Sequence, residues 1–91
     1  MKWPLIVRRV TGHSMEPTLK EGKIIIASPL LELRRGDVVI ARVEDREIIK
    51  RIESIQSDGY LLIGDNPNHS RDSRRFGLVG KSSILGRVIS I

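Results

Sequence analysis

The chain of 91 residues contains no cysteine, so its fold has no disulfides and its metal sites no thiolate ligands. The lack of cysteine is compatible with a reducing compartment. A chain of this length buries about 60–65% of its unfolded surface on folding, which gives a modest core. We therefore expect one domain, residues 1–91.

Long apolar runs are also missing. The run at 23–27 is among the longest and holds four apolar residues, whereas a membrane span needs about 20. The start, Met1–Val7, is too short for a signal peptide and meets Arg8 at once. The sequence therefore predicts no transmembrane segment and no export signal. We expect a cytoplasmic protein, and the alternative is membrane association through a shallow contact of Trp3–Val7.

Aromatic residues are scarce, with one Trp, one Tyr and one Phe, so a platform for stacking nucleic-acid bases is poorly supported. Sixteen basic and eleven acidic residues give a net charge of +5, which suits an anionic partner, but the basic residues are scattered. A basic β module that binds nucleic acid is thus the alternative of another class, and we expect no nucleic-acid partner. Two histidines without metal-ligand spacing predict no metal or other cofactor.

The sequence has the pattern of an all-β domain with short turns and little helix. Short β-branched runs alternate with clusters of Gly, Pro, Asn and Asp, and no long stretch has a 3.6-residue apolar period. The predicted strands are Leu5–Thr11, Lys23–Ala27, Val38–Val43, Glu47–Gln56, Tyr60–Ile63 and Gly86–Ile91.

One predicted strand carries a charged residue on an apolar face. Alternation in 47–55 places Lys50 between Ile48 and Ile52, while Arg51 falls on the opposite face. Burial would disfavour the charged form of the lysine and lower its pKa. The strand pattern alone rather favours the alternative, in which Lys50 extends its ammonium to water along an edge strand.

The stretch GHSMEPTLKEG, residues 12–22, holds a serine in a turn between two predicted strands. A serine hydroxyl becomes a nucleophile only when a nearby base takes its proton. His13 is adjacent to Ser14 and would point to the other face of an extended chain, whereas His69 remains possible. A neutral, desolvated lysine can do the same work, so Ser14 and Lys50 form a candidate pair.

The polar segment at 64–77 could support such a base. Ser70 or Ser73 could orient a buried lysine through a hydrogen bond, and Asp72 could pair with Arg74 to make the loop rigid. The alternative is a solvated loop, because Asn, Asp, Ser and Gly favour turns.

Four segments in this order resemble the conserved boxes of the signal peptidase I family of serine proteases, and the resemblance covers about residues 12–88. The boxes are SMEPTL (14–19), RGDVVIAR (35–42), IIKRI (48–52) and GDNPNHSRDSRRFG (64–77), followed by ILGRV (84–88), which is similar to the closing strand of the family. The resemblance implies a compact, partly open β-barrel-like catalytic core. It also implies a serine endopeptidase that binds a polypeptide in extended form, without a cofactor.

The resemblance assigns roles to individual residues. Ser14 matches the nucleophile, Lys50 the general base and Ser70 the serine that hydrogen-bonds the lysine. The backbone N–H of Ser14 would help to form the oxyanion hole, and Gly12 could contribute only through its backbone. Met15 would line the pocket for the small residue before the cut.

The same resemblance concerns the last box. Asp72 and Arg74 match the ion pair of the loop, with Ser73 beside them as a further orienting hydroxyl. The turn at 64–66 is expected only to position this loop.

The chain departs from the family in ways that bear on its substrate. It lacks the membrane spans that usually begin these proteins, and only thirteen residues, 51–63, separate Lys50 from the last box. This minimal core is similar to the nickel-type superoxide dismutase maturation proteases, which remove a short N-terminal propeptide. The alternatives are a minimal or truncated signal peptidase I core that processes secreted preproteins, and a self-cleaving repressor domain. The repressor domain is disfavoured because the chain has no helix-turn-helix and no spare substrate segment.

Overall fold

Six strands form most of the regular structure in a computed structural model that describes residues 4–90. A four-residue helix, α1 (Ser73–Phe76), and two short 3₁₀ turns, Pro67–His69 and Lys81–Ser83, complete the regular structure. The strands are β1 (Ile6–Arg9), β2 (Ile24–Ser28), β3 (Val38–Val43), β4 (Arg46–Gln56), β5 (Gly59–Ile63) and β6 (Ile84–Ser90). The expected all-β class is confirmed.

The strands form one open antiparallel sheet in the order β1-β2-β6-β3-β4-β5. Strand β6 is inserted between β2 and β3, so it joins the β1–β2 hairpin to the β3–β4–β5 meander. Strand β4 pairs with β3 over Arg46–Arg51 and with β5 only from Arg51 onward. Within residues 4–90, the first half of β4 and the outer side of β1 therefore keep unpaired backbone edges.

Strand β3 is buried on both faces, which explains its continuous apolar run. Val38 and Ile40 belong to one hydrophobic cluster, whereas Val39 and Ala41 belong to a second cluster, as the two-residue period of a strand requires. The first cluster also contains Val10, Met15, Leu19, Ile25, Ala27 and Val88, and the second contains Ile52, Leu62 and Val79.

The predicted boundaries need some correction. Strand β1 ends at Arg9 rather than Thr11, because the chain turns at Gly12 with a φ of 77°. Strand β6 begins at Ile84 rather than at Gly86. The polar segment also contains helix α1, whose first turn is capped by the Asp72 side chain accepting from the Arg74 N–H.

The segment Trp3–Val7, where the alternative places a shallow membrane contact, is only partly described by the structure, because Trp3 lies outside the described residues. Leu5 and Val7 are half-exposed. In the part of the chain that the structure describes, no helix has the length and apolar character needed to cross a bilayer.

Gly86 should be required for the insertion of β6. A Cβ at this position would lie 2.9 Å from the carbonyl carbon of Ser28 and 3.0 Å from its oxygen, both backbone atoms that cannot easily move. We expect Gly86→Ala to lower the free energy of unfolding by about 1–3 kcal/mol. Thermal unfolding should show this as a decrease of about 4–8 °C per kcal/mol in Tm.

Gly80→Ala is the matched control, because a Cβ there would meet nothing within 4 Å and the glycine φ is −69°. Equal Tm values for the two variants would contradict the tight packing assigned to Gly86.

Candidate active site

Ser14 and Lys50 meet although 36 residues separate them. Ser14 lies in the turn region between β1 and β2, and Lys50 lies in β4. The Lys50 Nζ donates a hydrogen bond of 2.7 Å to the Ser14 Oγ. The two groups proposed from the sequence as nucleophile and base are thus in direct contact.

Lys50 is buried, with 5% of its surface exposed, so the expectation that it extends to water is wrong. Its neighbours on the same strand face, Ile48 and Ile52, pack in the second hydrophobic cluster. Desolvation lowers the pKa of Lys50, and the negative charge of Asp72 partly opposes this effect. The environment therefore favours the neutral amine more than water does.

The segment at 64–66 holds the backbone of Ser14 in place. The Asn66 N–H donates to the Ser14 carbonyl at 2.8 Å, and the Asn66 Nδ2 donates to the His13 carbonyl at 3.0 Å. A Cβ at Gly64 would lie 2.7 Å from the Ser14 carbonyl oxygen and would overlap the Ser70 Oγ. Sequence reasoning treated these residues as a turn and missed this contact with the serine.

Asp65 links the four sequence boxes. Its carboxylate accepts hydrogen bonds from Arg51 Nε at 2.9 Å, Arg51 Nη2 at 2.8 Å and Thr18 Oγ1 at 2.6 Å. Arg51 also donates from Nη1 to the Gly36 carbonyl at 2.7 Å. Because each residue comes from a different box, this cluster fixes the serine turn relative to the lysine strand. The hydrogen bonds from Arg51 lower the pKa of Asp65, although burial opposes them.

Asp72 is a fully buried carboxylate in the last box. Its Oδ2 accepts from the Gly64 N–H at 2.9 Å and the Ser70 Oγ at 2.8 Å, and Arg74 binds both oxygens at 2.9 and 2.8 Å. Burial alone would raise the pKa of Asp72, but the hydrogen bonds from Arg74, Gly64 and Ser70 hold it well below its ordinary value. Asp72 is therefore a permanent negative charge that acts on Lys50.

The two other predicted hydroxyls are engaged elsewhere. Ser70 donates to Asp72, so its role in orienting Lys50 stays a prediction. The Ser73 hydroxyl is buried and accepts the Leu62 N–H at 2.9 Å, which fastens α1 to β5.

The remaining predicted residues flank Ser14. Gly12 donates its N–H to the Glu21 carboxylate at 3.0 Å, so this backbone donor is already occupied. No acceptor from residues 4–90 is bonded to the Ser14 N–H, which leaves that donor available. Met15 is 1% exposed, packs in the first cluster and borders the cleft described next.

A cleft of about 390 Å³ opens at the Ser14–Lys50 pair. One wall is formed by residues 8–15 and the other by residues 43, 44 and 46–50, and Arg71 and Phe76 also line the cleft. Both histidines line the cleft, and His13 is bonded through Nδ1 to Glu16 at 3.0 Å. Among residues 4–90, no group of three His, Asp or Glu side chains is placed to hold a metal ion.

The buried lysine should reduce stability at neutral pH. Its pKa lies below 10.5 in the folded chain, so the folded state binds fewer protons than the unfolded state. The free energy of unfolding should then rise with pH from the folded pKa to about 10.5. We expect Lys50→Met to stabilise the protein at pH 7 by about 1 kcal/mol, with a gain that shrinks as the pH rises.

Urea unfolding at several pH values between 6 and 10 checks this expectation. Lys20→Met, at an exposed position, should leave the stability and its pH dependence almost unchanged. A Lys50→Met protein less stable than the wild type at pH 7 would contradict the assigned cost of burying the amine.

The sequence of the chain is similar to several proteins that are named as peptidases or proteases. The chain is 42% identical over 52 residues to signal peptidase I of Streptococcus pneumoniae, which covers 55% of the chain and 26% of that protein. It is 30% identical over 105 residues to human mitochondrial inner membrane protease subunit 1, covering 86% and 63%. Signal peptidase IB of Staphylococcus aureus is 31% identical over 61 residues, covering 64% and 32%.

The chain thus spans between about a quarter and under two thirds of the length of these relatives. Their names agree with the resemblance to signal peptidase I that the four boxes predicted. The sequence model of the Peptidase S24-like family matches residues 3–89, and the chain belongs to this family.

Proposed function

We propose that this chain is a serine endopeptidase with a Ser–Lys catalytic dyad, in which Ser14 is the nucleophile and Lys50 is the general base. The observation that carries the proposal is the 2.7 Å hydrogen bond between the Ser14 Oγ and a buried Lys50 amine. A lysine with a lowered pKa is deprotonated more readily near neutral pH, which is what a general base requires.

The reaction follows from this contact. Neutral Lys50 takes the proton of the Ser14 hydroxyl while the oxygen attacks the scissile carbonyl carbon, and the Ser14 N–H stabilises the oxyanion. The Lys50 ammonium then gives its proton to the departing amine, and the acyl-enzyme remains. Water then attacks the ester while Lys50 accepts one of its protons, and Lys50 returns this proton to the departing Ser14 Oγ, which releases the acid and restores both residues.

Ser70, Asp72 and Arg74 are proposed to support the dyad. The fixed charge of Asp72 stabilises the ammonium that forms during the reaction and is itself held by Arg74. Ser70 is proposed as the second partner of Lys50, because its hydroxyl lies against Gly64, which also contacts the Ser14 carbonyl. Ser73 is proposed to support the dyad indirectly, because its hydroxyl accepts the Leu62 N–H and so positions α1.

A polypeptide substrate would bind in extended form in the cleft. The unpaired backbone of β1 and of the first half of β4 can hydrogen-bond an added strand. Met15 borders the cleft and is proposed to line the pocket for a small residue before the cut. The turn at Gly12 leaves room for a substrate, because a Cβ built there would have no heavy atom within 4 Å apart from its chain neighbours.

The substrate proposed is the N-terminal propeptide of a nickel-type superoxide dismutase. The support is the short chain between Lys50 and the last box, together with GDNP and DSRRFG in that box. The alternative substrate class is a secreted preprotein, because several relatives are named signal peptidases.

Incubation with a nickel superoxide dismutase precursor should remove one N-terminal segment, seen by intact-mass spectrometry. Ser14→Ala and Lys50→Met should each lower the rate by at least about 10³-fold, because the nucleophile and its base act as a unit. Lys20→Met is the matched control and should cleave like the wild type. Cleavage by Lys50→Met at the wild-type rate would contradict the dyad.

A signal-peptide substrate with a small residue before its cut separates the two substrate classes. Cleavage of that peptide without cleavage of the precursor would replace the propeptide assignment by a signal peptidase role. A chain that cleaves neither would contradict the proposed endopeptidase activity.

The pH–rate profile should show a basic rise that follows Lys50. Activity needs the neutral amine, so kcat/KM increases with pH through the lowered pKa of Lys50. Asp72→Asn removes the charge that raises this pKa and should move the rise to lower pH. Asp58→Asn, on the exposed β4–β5 turn, is the control. A rise that stays at the same pH in folded Asp72→Asn, or moves upward, would contradict the assignment.

A further inference from the structure

An ion pair crosses the mouth of the cleft. Arg8 in β1 binds Glu47 in β4, with Nε–Oε1 at 2.6 Å and Nη2–Oε2 at 3.1 Å. Strands β1 and β4 are not neighbours in the sheet, and both residues line the cleft that contains Ser14 and Lys50. The pair therefore connects the two walls between which an extended substrate would lie.

The pair lies at a defined distance from the reacting atoms. Glu47 precedes Lys50 by three residues in one strand, and a strand rises about 3.3 Å per residue, which gives about 10 Å. An extended substrate has the same rise. The substrate side chain that meets the Arg8–Glu47 pair is therefore about three residues from the bond that is cleaved.

The surrounding charges favour one sign. Four arginines and two glutamates line the cleft, and one of these glutamates, Glu44, is already paired with Arg71 at 2.9 Å. Glu47 has a second cation, Arg42, at 3.8 Å. A substrate carboxylate that takes Arg8 leaves Glu47 with Arg42. A substrate ammonium that takes Glu47 leaves Arg8 without its carboxylate, among other arginines.

The pair is also accessible. The Arg8 and Glu47 side chains are 43% and 27% exposed, so a substrate side chain can reach Arg8 from solvent. A substrate carboxylate that replaces Glu47 would give the Arg8 guanidinium an equivalent partner.

We propose that the Arg8–Glu47 pair is a charge-selective subsite, in which Arg8 exchanges Glu47 for an acidic substrate side chain about three residues from the scissile bond. The inference rests on the proposed function, because it places the substrate in the same cleft. It adds a specificity that the Ser14–Lys50 dyad does not define.

Binding to the inactive Ser14→Ala chain tests the subsite without any need for catalysis. The probes are fluorescent ten-residue peptides with a central Ala-Ala bond, each with a single Glu, Gln or Lys placed two to four residues to either side. Fluorescence anisotropy at low salt should show one position where Glu binds about three- to tenfold tighter than Lys, with Gln between them.

Arg8→Gln, made in the Ser14→Ala chain, should abolish this preference, because it removes the guanidinium that binds the substrate carboxylate and leaves Glu47 in place. The matched control is Arg34→Gln, at an exposed arginine that lies 3.8 Å from Glu32, and it should keep the preference for Glu. Thermal unfolding confirms that both variant chains are folded.

Equal affinities for Glu and Lys peptides at every position would overturn the subsite, and so would a preference that Arg8→Gln leaves unchanged. Cleavage of the Gln peptides by the chain that retains Ser14 is measured separately. Loss of charge preference with cleavage intact refutes the subsite alone, whereas selective binding without cleavage by that chain refutes only the proposed catalysis.

Discussion

A buried lysine amine must find a hydrogen-bond acceptor, and the arrangement of this protein follows from the acceptor that Lys50 finds. The strand places the amine among isoleucines, where its charged form is disfavoured, and the Ser14 hydroxyl accepts its hydrogen bond. Asp72 limits the loss of basicity, because its charge favours the protonated amine that a proton transfer creates. Desolvation and a fixed carboxylate thus act on the pKa of Lys50 in opposite directions.

Such a contact is useful only if the serine turn cannot move away from the strand. Asn66 binds the backbone carbonyls of both His13 and Ser14, and Asp65 fastens the same segment to Thr18 and Arg51. The motif residues around Ser14 and Lys50 therefore serve mainly to fix the distance between these two side chains. This explains why short polar boxes, widely separated in sequence, are packed against one another.

Much of the local structure could be predicted from the sequence. Turn residues indicated where the strands end, and alternation placed Lys50 on an apolar face. Alternation could not decide whether Lys50 is buried or exposed, because the contact that covers its amine comes from Ser14, 36 residues away. The hydrogen bonds of Asp65 could not be predicted either, because their partners, Thr18 and Arg51, are distant in sequence. The residues at 64–66, Gly, Asp and Asn, also predict an ordinary turn. The insertion of β6 depends on pairing between distant segments, which no local pattern encodes.

The position of β6 has a consequence for the order in which the fold can form. The hairpin that leads to Ser14 and the meander that contains Lys50 share no strand pairing with each other in residues 4–90, and β6 pairs with both. Strand β6 is also the last of the six to leave the ribosome. The strand pairing that joins the segments of Ser14 and Lys50 can therefore form only after β6 has been synthesised, so a nascent chain holds both residues well before it holds the complete sheet.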